Sequence, residues 1–312
     1  MSTSFQHIMP ITFDSGEEGP HLLILAGVHG DELEPVQVGL KLTTQLAGAI
    51  KIRKGTLTIV PIVNRPAYKN KSRTAEDGLD LARTFPGRKE GSKTEQIAWE
   101  ISQLIRSVDF LIDMHTGGKT YEIYPLSGYV LHRDEKILEI QRTMATTFGL
   151  PVQWGTSPEL NGRTISVARD AGIPAIYTEY GGGGQQNEEI VEVLYEGCLR
   201  VLVELKMIPD RKMHSPEPQY IVEDTREASG HLQIMYPSPL KGDFITHAQL
   251  GAMVKKGDLI GEVHDSKAGK GVEISAREDG LLFLIRRRPF VNKNEATAGI
   301  LPITQPGTIT LP

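Results

Sequence analysis

Leu22-Leu-Ile-Leu25-Ala-Gly27-Val-His29-Gly-Asp-Glu32-Leu-Glu34 is the stretch on which the reading of this chain turns. Leu22 to Leu25 is an unbroken apolar run that predicts a buried strand, ending at Ala26-Gly27. From Glu34 to about Leu46 the apolar residues Val36, Val38, Leu40, Leu42 and Leu46 take up helical spacing. His29 therefore lies in a strand-to-helix turn, with Glu32 three residues on. That spacing lets an imidazole and a carboxylate converge at the C-terminal edge of a sheet, where open α/β sheets bind ligands. Both groups are ordinary zinc ligands, and a catalytic zinc needs one more protein ligand and an open position. The spacing alone selects nothing, because it recurs at His132/Glu135 and His214/Glu217. His132 precedes a charged helix, where a solvated face is the plain reading, and His214 precedes the proline-rich link Ser215-Pro216-Glu217-Pro218. Only His29 follows a buried strand; its own plain alternative is a turn histidine beside a surface glutamate.

The chain has 312 residues, enough for two domains, and is 39% hydrophobic and 23% charged, an ordinary globular composition. A net charge of −5 argues against a polyanion-binding surface, so no nucleic-acid partner is expected. The single cysteine, Cys198, excludes an intrachain disulfide and any multi-cysteine zinc site; its helical setting reads as a buried structural thiol. Met1 to Pro10 lacks the basic and apolar regions of a secretory signal, and no apolar run reaches the ~18 residues of a membrane span. The expectation is a cytoplasmic protein with no membrane partner.

Thr56–Val63 predicts a second strand. Asn64 to Gly91 is a long stretch without periodicity, a length that in compact domains often marks function. Thr94–Ile105 predicts a helix, and Phe110-Leu-Ile112 a strand leading into Asp113-Met-His115-Thr-Gly-Gly118. Helices follow at Ile137 to about Phe148 and Thr164–Ala171. A buried strand, Pro174–Thr178, ends in Glu179-Tyr180 and four glycines, and a long helix covers about Glu188–Leu205. This alternation describes an α/β fold with functional residues at strand ends. Beyond Ile208, Pro209, Pro216 and Pro218 mark a link. From Tyr220 short apolar runs alternate with Lys-Gly-Asp and Asp-Gly turns, as in an all-β module. The expected division is a catalytic α/β domain over residues 1–208, a linker over 209–219 and a smaller C-terminal β domain, barrel-sandwich-like, over 220–312. The module has no Met-Lys-Met hairpin for a lipoyl or biotinyl group. Lys267-Ala-Gly-Lys-Gly271 is not a nucleotide loop, because no strand-loop-helix surrounds it.

Three strand ends thus carry residues that hydrolytic zinc chemistry needs: His29 with Glu32, His115, and Glu179. Two histidines and a glutamate make an open three-ligand site, and a further unbound carboxylate can take a proton from water. Alone, His115 reads as an ordinary turn histidine. Glu179 ends an apolar strand, where an unpaired buried carboxylate is costly and wants a reason. The 64–91 stretch adds Arg65, Lys69, Lys71, Arg73, Arg83 and Arg88, mostly surface charge. One arginine near the metal would bind a developing oxyanion, and another would grip a substrate carboxylate.

With these motifs in order, the chain resembles the succinylglutamate desuccinylase/aspartoacylase family of the zinc carboxypeptidase superfamily. The motifs are Gly27-Val-His29-Gly-Asp-Glu32, the Arg73 loop, Asp80-Leu-Ala-Arg83-Thr-Phe-Pro-Gly87, Asp113-Met-His115-Thr-Gly-Gly118 and Thr178-Glu179-Tyr-Gly-Gly182. Gly117-Gly118-Lys119-Thr120 and the four-glycine run are most similar to N-acetyl-diaminobutyrate deacetylase-like members. The resemblance implies a carboxypeptidase-like mixed sheet flanked by helices, and one zinc ion per chain on His29, Glu32 and His115. It implies Glu179 as general base and then acid, Arg73 on the carbonyl oxygen, and Arg83 on a substrate carboxylate. The family places an asparagine before that arginine; here the position is Ala82, which cannot donate the side-chain bond. The reaction implied is zinc-dependent hydrolysis of the amide of a small N-acyl amino acid or N-acyl diamine. Its rivals are a metallocarboxypeptidase on short peptides and a non-catalytic metal- or ligand-binding homologue. An apolar edge on the β module is compatible with a homo-oligomer.

Overall fold

The computed structural model describes residues 5–311 apart from 215, 228, 266, 268 and 304. Residues 1–4 of the leading segment, Ser215 of the link and Ala268 of the lysine-glycine stretch lie outside the described residues. The first part of the chain runs β1 (Ile11–Asp14), β2 (His21–Leu25), α1 (Leu33–Ala47), β3 (Thr56–Val60) and α2 (Arg65–Lys69). A 3-10 turn at Leu81–Arg83 precedes α3 (Lys93–Ile105), β4 (Phe110–His115), β5 (Tyr121–Val130) and α4 (Glu135–Phe148). Then come β6 (Val152–Thr156), α5 (Thr164–Ala171), β7 (Ala175–Gly182) and α6 (Glu188–Glu204).

These strands form one mixed sheet in the order β1-β3-β2-β4-β7-β5-β6. The strands β3, β2, β4 and β7 are parallel, and β5 turns antiparallel to β7. Alternation along β2 divides its side chains between two cores. Leu22 and Ile24 pack under α1, α4 and α6 with Leu42, Phe148 and Leu202, while Leu23 and Leu25 pack under α3 and α5 with Ile97, Ile101 and Ala168. A strand covered on both faces must be apolar throughout, as Leu22–Leu25 is. On α1, Val36, Val38, Leu42 and Leu46 are buried, whereas Leu40 faces solvent.

Two strands carry no clear pattern in the sequence. In β5, Pro125 and a register shift between Ile123 and Leu126 interrupt the alternation, as a proline confined to a bulge does. In β6, all five residues of Val-Gln-Trp-Gly-Thr are buried, but polar Gln153 and Thr156 hide the strand.

The remaining strands are β8 (Tyr220–Asp224), β9 (Gly242–Thr246), β10 (Met253–Val254), β11 (Leu259–Asp265), β12 (Lys270–Ser275), β13 (Gly280–Arg286), β14 (Phe290–Val291), β15 (Ala298–Leu301) and β16 (Gly307–Leu311). A C-terminal antiparallel sheet orders β12-β11-β9-β14. The large sheet also takes in C-terminal strands: β8 pairs with β6, β16 with β8, and β13 runs antiparallel to β5. That last pairing brings the C-terminal ninety residues against the strand beside β7. A 3-10 turn at Leu232–Ile234 thereby reaches the C-terminal edge of the sheet. Among the described residues no helix is long and apolar enough to cross a membrane.

Candidate active site

Three parallel strands end side by side, and each delivers part of one cleft. The turn after β2 carries His29, β4 ends in His115, and β7 carries Glu179, which sits opposite His115 in register. The turn needs its glycines. Gly27 has φ +66°, and at Gly30 the chain crosses α2 so closely that a Cβ would lie 2.0 Å from the Ala67 carbonyl carbon. Glu32 occupies the N-cap position of α1, yet its side chain makes no capping bond. Its carboxylate turns instead to the two imidazoles: Oε1 lies 2.6 Å from His29 Nδ1 and Oε2 3.0 Å from His115 Nδ1. The Thr116 amide also donates to Oε2 at 3.3 Å. One ligand atom from each of His29, Glu32 and His115 lies within 4.8 Å of the others, and all three residues are buried. Among the described residues this is the single such group; the His132/Glu135 and His214/Glu217 pairs form none.

The outer nitrogens are held as well. His29 Nε2 lies 3.1 Å from Asp80 Oδ1, and His115 Nε2 lies 3.1 Å from Asp113 Oδ2, which also accepts from the Thr164 hydroxyl. Imidazoles that present one nitrogen to a metal and the other to a carboxylate are the usual ligand arrangement in zinc sites. The donor set therefore fits a divalent cation on its chemistry. Two further carboxylate oxygens in this buried neighbourhood, Asp113 Oδ1 and Glu179 Oε2, have no partner.

Electrostatics follow from the crowding. Burial would raise the Glu32 pKa, but His29 and His115 overturn that and hold its carboxyl well below the usual range. Burial would lower His115, and Asp113 and Glu32 instead hold it well above the ordinary histidine value. Glu179 goes the other way. Burial pushes it up to about 8, with His115 opposing and Glu32 adding to the rise. A carboxyl that titrates near neutrality can both take and return a proton.

Of the cations between Asn64 and Gly91, Arg73 and Arg83 line this cleft. Arg65 and Lys69 line a separate groove, and Arg88 pairs with Glu95 at the surface. Arg73 donates through Nε and Nη2 to Asp80 Oδ2 at 3.1 and 3.0 Å, and its Nη1 lies 3.9 Å from Glu32 Oε1. Arg83 donates to the carbonyl of Ala82 at 2.6 Å. Beside it lies Arg163, the N-cap residue of α5, donating to the Gly230 carbonyl at 3.4 Å. Burial and the neighbouring Arg83 push Arg163 down to about 10, so it still carries its charge at neutral pH. Among the described residues neither Arg83 nor Arg163 has a carboxylate within ion-pair distance. Two unpaired guanidinium groups facing one cleft suit an anionic group of a ligand. Apolar Val28, Ile123, Val130 and Leu284 complete the walls.

All six residues singled out in the sequence, His29, Glu32, Arg73, Arg83, His115 and Glu179, therefore line one cleft. Sequence reasoning assigned nothing to Asp80, Asp113, Arg163 or Gln233. Asp113 had a usable signal, since residues i and i+2 of a strand share a face. The other three reach the cleft from turns whose position no local pattern records.

Residues 18–205 match the family model of the succinylglutamate desuccinylase/aspartoacylase catalytic domain. The chain is 32% identical over 305 residues to the N-alpha-acetyl-L-2,4-diaminobutyric acid deacetylase of Halomonas elongata, covering 96% of this chain and 86% of that protein. Among solved structures it is similar to the product-bound ectoine utilization protein EutE (DoeB) of Ruegeria pomeroyi, with TM-score 0.83, 26% identity, and 93% and 87% of the two chains covered. It is also similar to a succinylglutamate desuccinylase/aspartoacylase of Rhodobacter sphaeroides, with TM-score 0.81, 25% identity, and 94% and 88% covered.

Proposed function

The chain belongs to the succinylglutamate desuccinylase/aspartoacylase family, and on that premise we propose that it is a zinc-dependent amidohydrolase. Its substrate in this reading is a small N-acyl amino acid or N-acyl diamine that loses a short acyl group. The observation that carries the reading is the convergence of His29, Glu32 and His115 at the floor of a cleft whose wall holds the unpartnered carboxylate oxygen of Glu179. His29, Glu32 and His115 would hold one zinc ion per chain, which when bound supplies Lewis-acid polarisation of the amide carbonyl and makes a water more acidic.

The protein groups then have distinct tasks. Glu179 takes the proton of the attacking water and returns it to the amide nitrogen as the C–N bond breaks, leaving a carboxylate and a free amine. Arg73 offers Nη1 to the oxygen that gains charge as the carbonyl carbon becomes tetrahedral. Arg83 and Arg163 receive the substrate's carboxylate, with Arg163 compensating for a side-chain donor that Ala82 lacks. Asp80 and Asp113 keep the two imidazoles in the tautomer and orientation that a metal needs. The resemblance to a diaminobutyrate deacetylase favours acetyl as the acyl group.

The test is metal content and amine release together. Purified protein, with and without chelator, is offered N-acetyl-L-2,4-diaminobutyrate, N-acetyl and N-succinyl amino acids, and C-terminal dipeptides. About one zinc per chain is expected, with amine release lost on chelation and restored by zinc. Turnover confined to dipeptides would make the protein a carboxypeptidase, and bound zinc without any turnover would make it a binding protein.

A further inference from the structure

Arg73 is held from two sides, and only one of them belongs to the catalytic loop. Gln233, in the 3-10 turn Leu232–Ile234 supplied by the C-terminal part of the chain, faces the Nε edge of the Arg73 guanidinium. A guanidinium has only donors, so the amide turns its oxygen toward it. In that orientation the Gln233 oxygen accepts from Arg73 Nη2 at 2.9 Å and from Nε at 3.1 Å. We propose that Gln233 is a positioning residue that aims Arg73 at the reacting carbonyl oxygen; this rests on the amidohydrolase reading above.

The geometry explains why a second acceptor is needed. Asp80 takes both Arg73 bonds on a single oxygen, Oδ2, because its Oδ1 is occupied by His29 Nε2 and the Ala82 amide. Two bonds converging on one atom let the guanidinium pivot about that atom. A second acceptor on the same Nε–Nη2 edge, sharing the single Nε proton with Asp80 Oδ2, restrains that pivot and leaves Nη1 directed to the side where Glu32 lies, 3.9 Å away. Gln233 can serve as a fixed point because its segment is anchored at both ends. Ser229 Oγ accepts from the Ser157 amide at 2.6 Å and donates to the Asp224 carbonyl at 2.7 Å, while the Tyr236 carbonyl accepts from the Thr297 amide and hydroxyl at 3.1 and 2.7 Å. The Gly230 carbonyl in the same segment takes the bond from Arg163. One strap thus touches both a wall arginine and Arg73.

The experiment is a double-mutant cycle joined to a spectroscopic readout. Gln233→Leu keeps the size and removes the acceptor; it is compared with wild type, with Arg73→Lys and with the double variant, on the N-acyl amino acid turned over fastest in the panel above. Expected is about a tenfold loss of kcat in Gln233→Leu with KM within twofold, and no further loss when Arg73 is already lysine. The Arg73 Nε–H signal in the 15N spectrum, assigned by its disappearance in Arg73→Lys, should broaden or shift in Gln233→Leu. It should be retained in Gln233→Glu, which keeps an oxygen at the same reach. An unchanged kcat, or an equal loss in both backgrounds, overturns the proposal. If wild type turns over no acyl-amine, the functional reading fails by itself, and an Arg73 Nε–H signal indifferent to Gln233→Leu separately overturns the contact.

Discussion

Glu179 is the residue at which environment and chemistry are most tightly joined. Its carboxyl is pushed up to about 8 by burial, against the pull of His115 and with help from Glu32. In the metal-free protein the folded form therefore holds this proton more tightly than the unfolded chain, whose glutamate titrates near ~4.3. Stability should fall as pH rises from that value through about 8. Glu179→Gln removes the titration. In chelator-treated protein the stability of the variant relative to wild type should rise steadily as pH goes from about 5 to 9, read from urea melts. In zinc-loaded protein the same substitution should leave metal content unchanged and lower kcat by about 10²–10⁴-fold. Full turnover by Glu179→Gln would remove its role as proton carrier.

At the scale of elements, the site depends on how closely the β2–α1 turn can approach α2. Gly30 lies against the Ala67 backbone, and a methyl group there has no room. Gly30→Ala must push the turn or α2 aside, at a cost of about 1–3 kcal/mol, and it moves His29 with the turn. Thermal melts should show the destabilisation, and zinc titration should show weaker binding than wild type. A variant with wild-type stability and zinc affinity would mean that the crossing is looser than the contacts describe. The strand ends are similarly interlocked: β4 and β7 pair in register through His115 and Glu179, so the proposed ligand and base share one rigid platform.

At the scale of the molecule, the sheet is carried past the cleft by an ion pair that joins three elements. Arg142 of α4 donates to Glu223 of β8 through Nε and Nη2 at 2.8 and 3.0 Å, and Tyr129 of β5 donates to the same carboxylate at 3.0 Å. Burial would raise the Glu223 pKa, but the bonds from Arg142 and Tyr129 hold it below the ordinary value. Its contribution is then present above the unfolded carboxylate pKa and lost as pH falls through the lower folded one. Glu223→Gln should cost about 1–2 kcal/mol at pH 7, with the gap to wild type narrowing in urea melts as pH falls below the unfolded carboxylate value. A gap that persists in acid would assign the loss to packing instead of charge.

The sequence by itself determined the strands β2, β4 and β7, the helices beside them, and six of the side chains that line the cleft. Leu22–Leu25 had to be a doubly covered strand because every residue in it is apolar, and the helical spacing after Glu34 is a local property of the chain. His29, His115 and Glu179 were legible because each sits at the end of such a run. What the tertiary structure decided is who stands behind them. Asp80 on His29, Arg163 beside Arg83, and Gln233 on Arg73 meet their partners across fifty residues of chain or more, and nothing in their own neighbourhoods records the meeting; Asp113, two residues before His115 on β4, is the exception. The strands β5 and β6 escaped notice for a related reason: Pro125 at a bulge and buried polar Gln153 and Thr156 are tolerated only because neighbouring strands and side chains satisfy them. Local periodicity reports which face of an element is buried; it carries no information about which distant polar group will be waiting there.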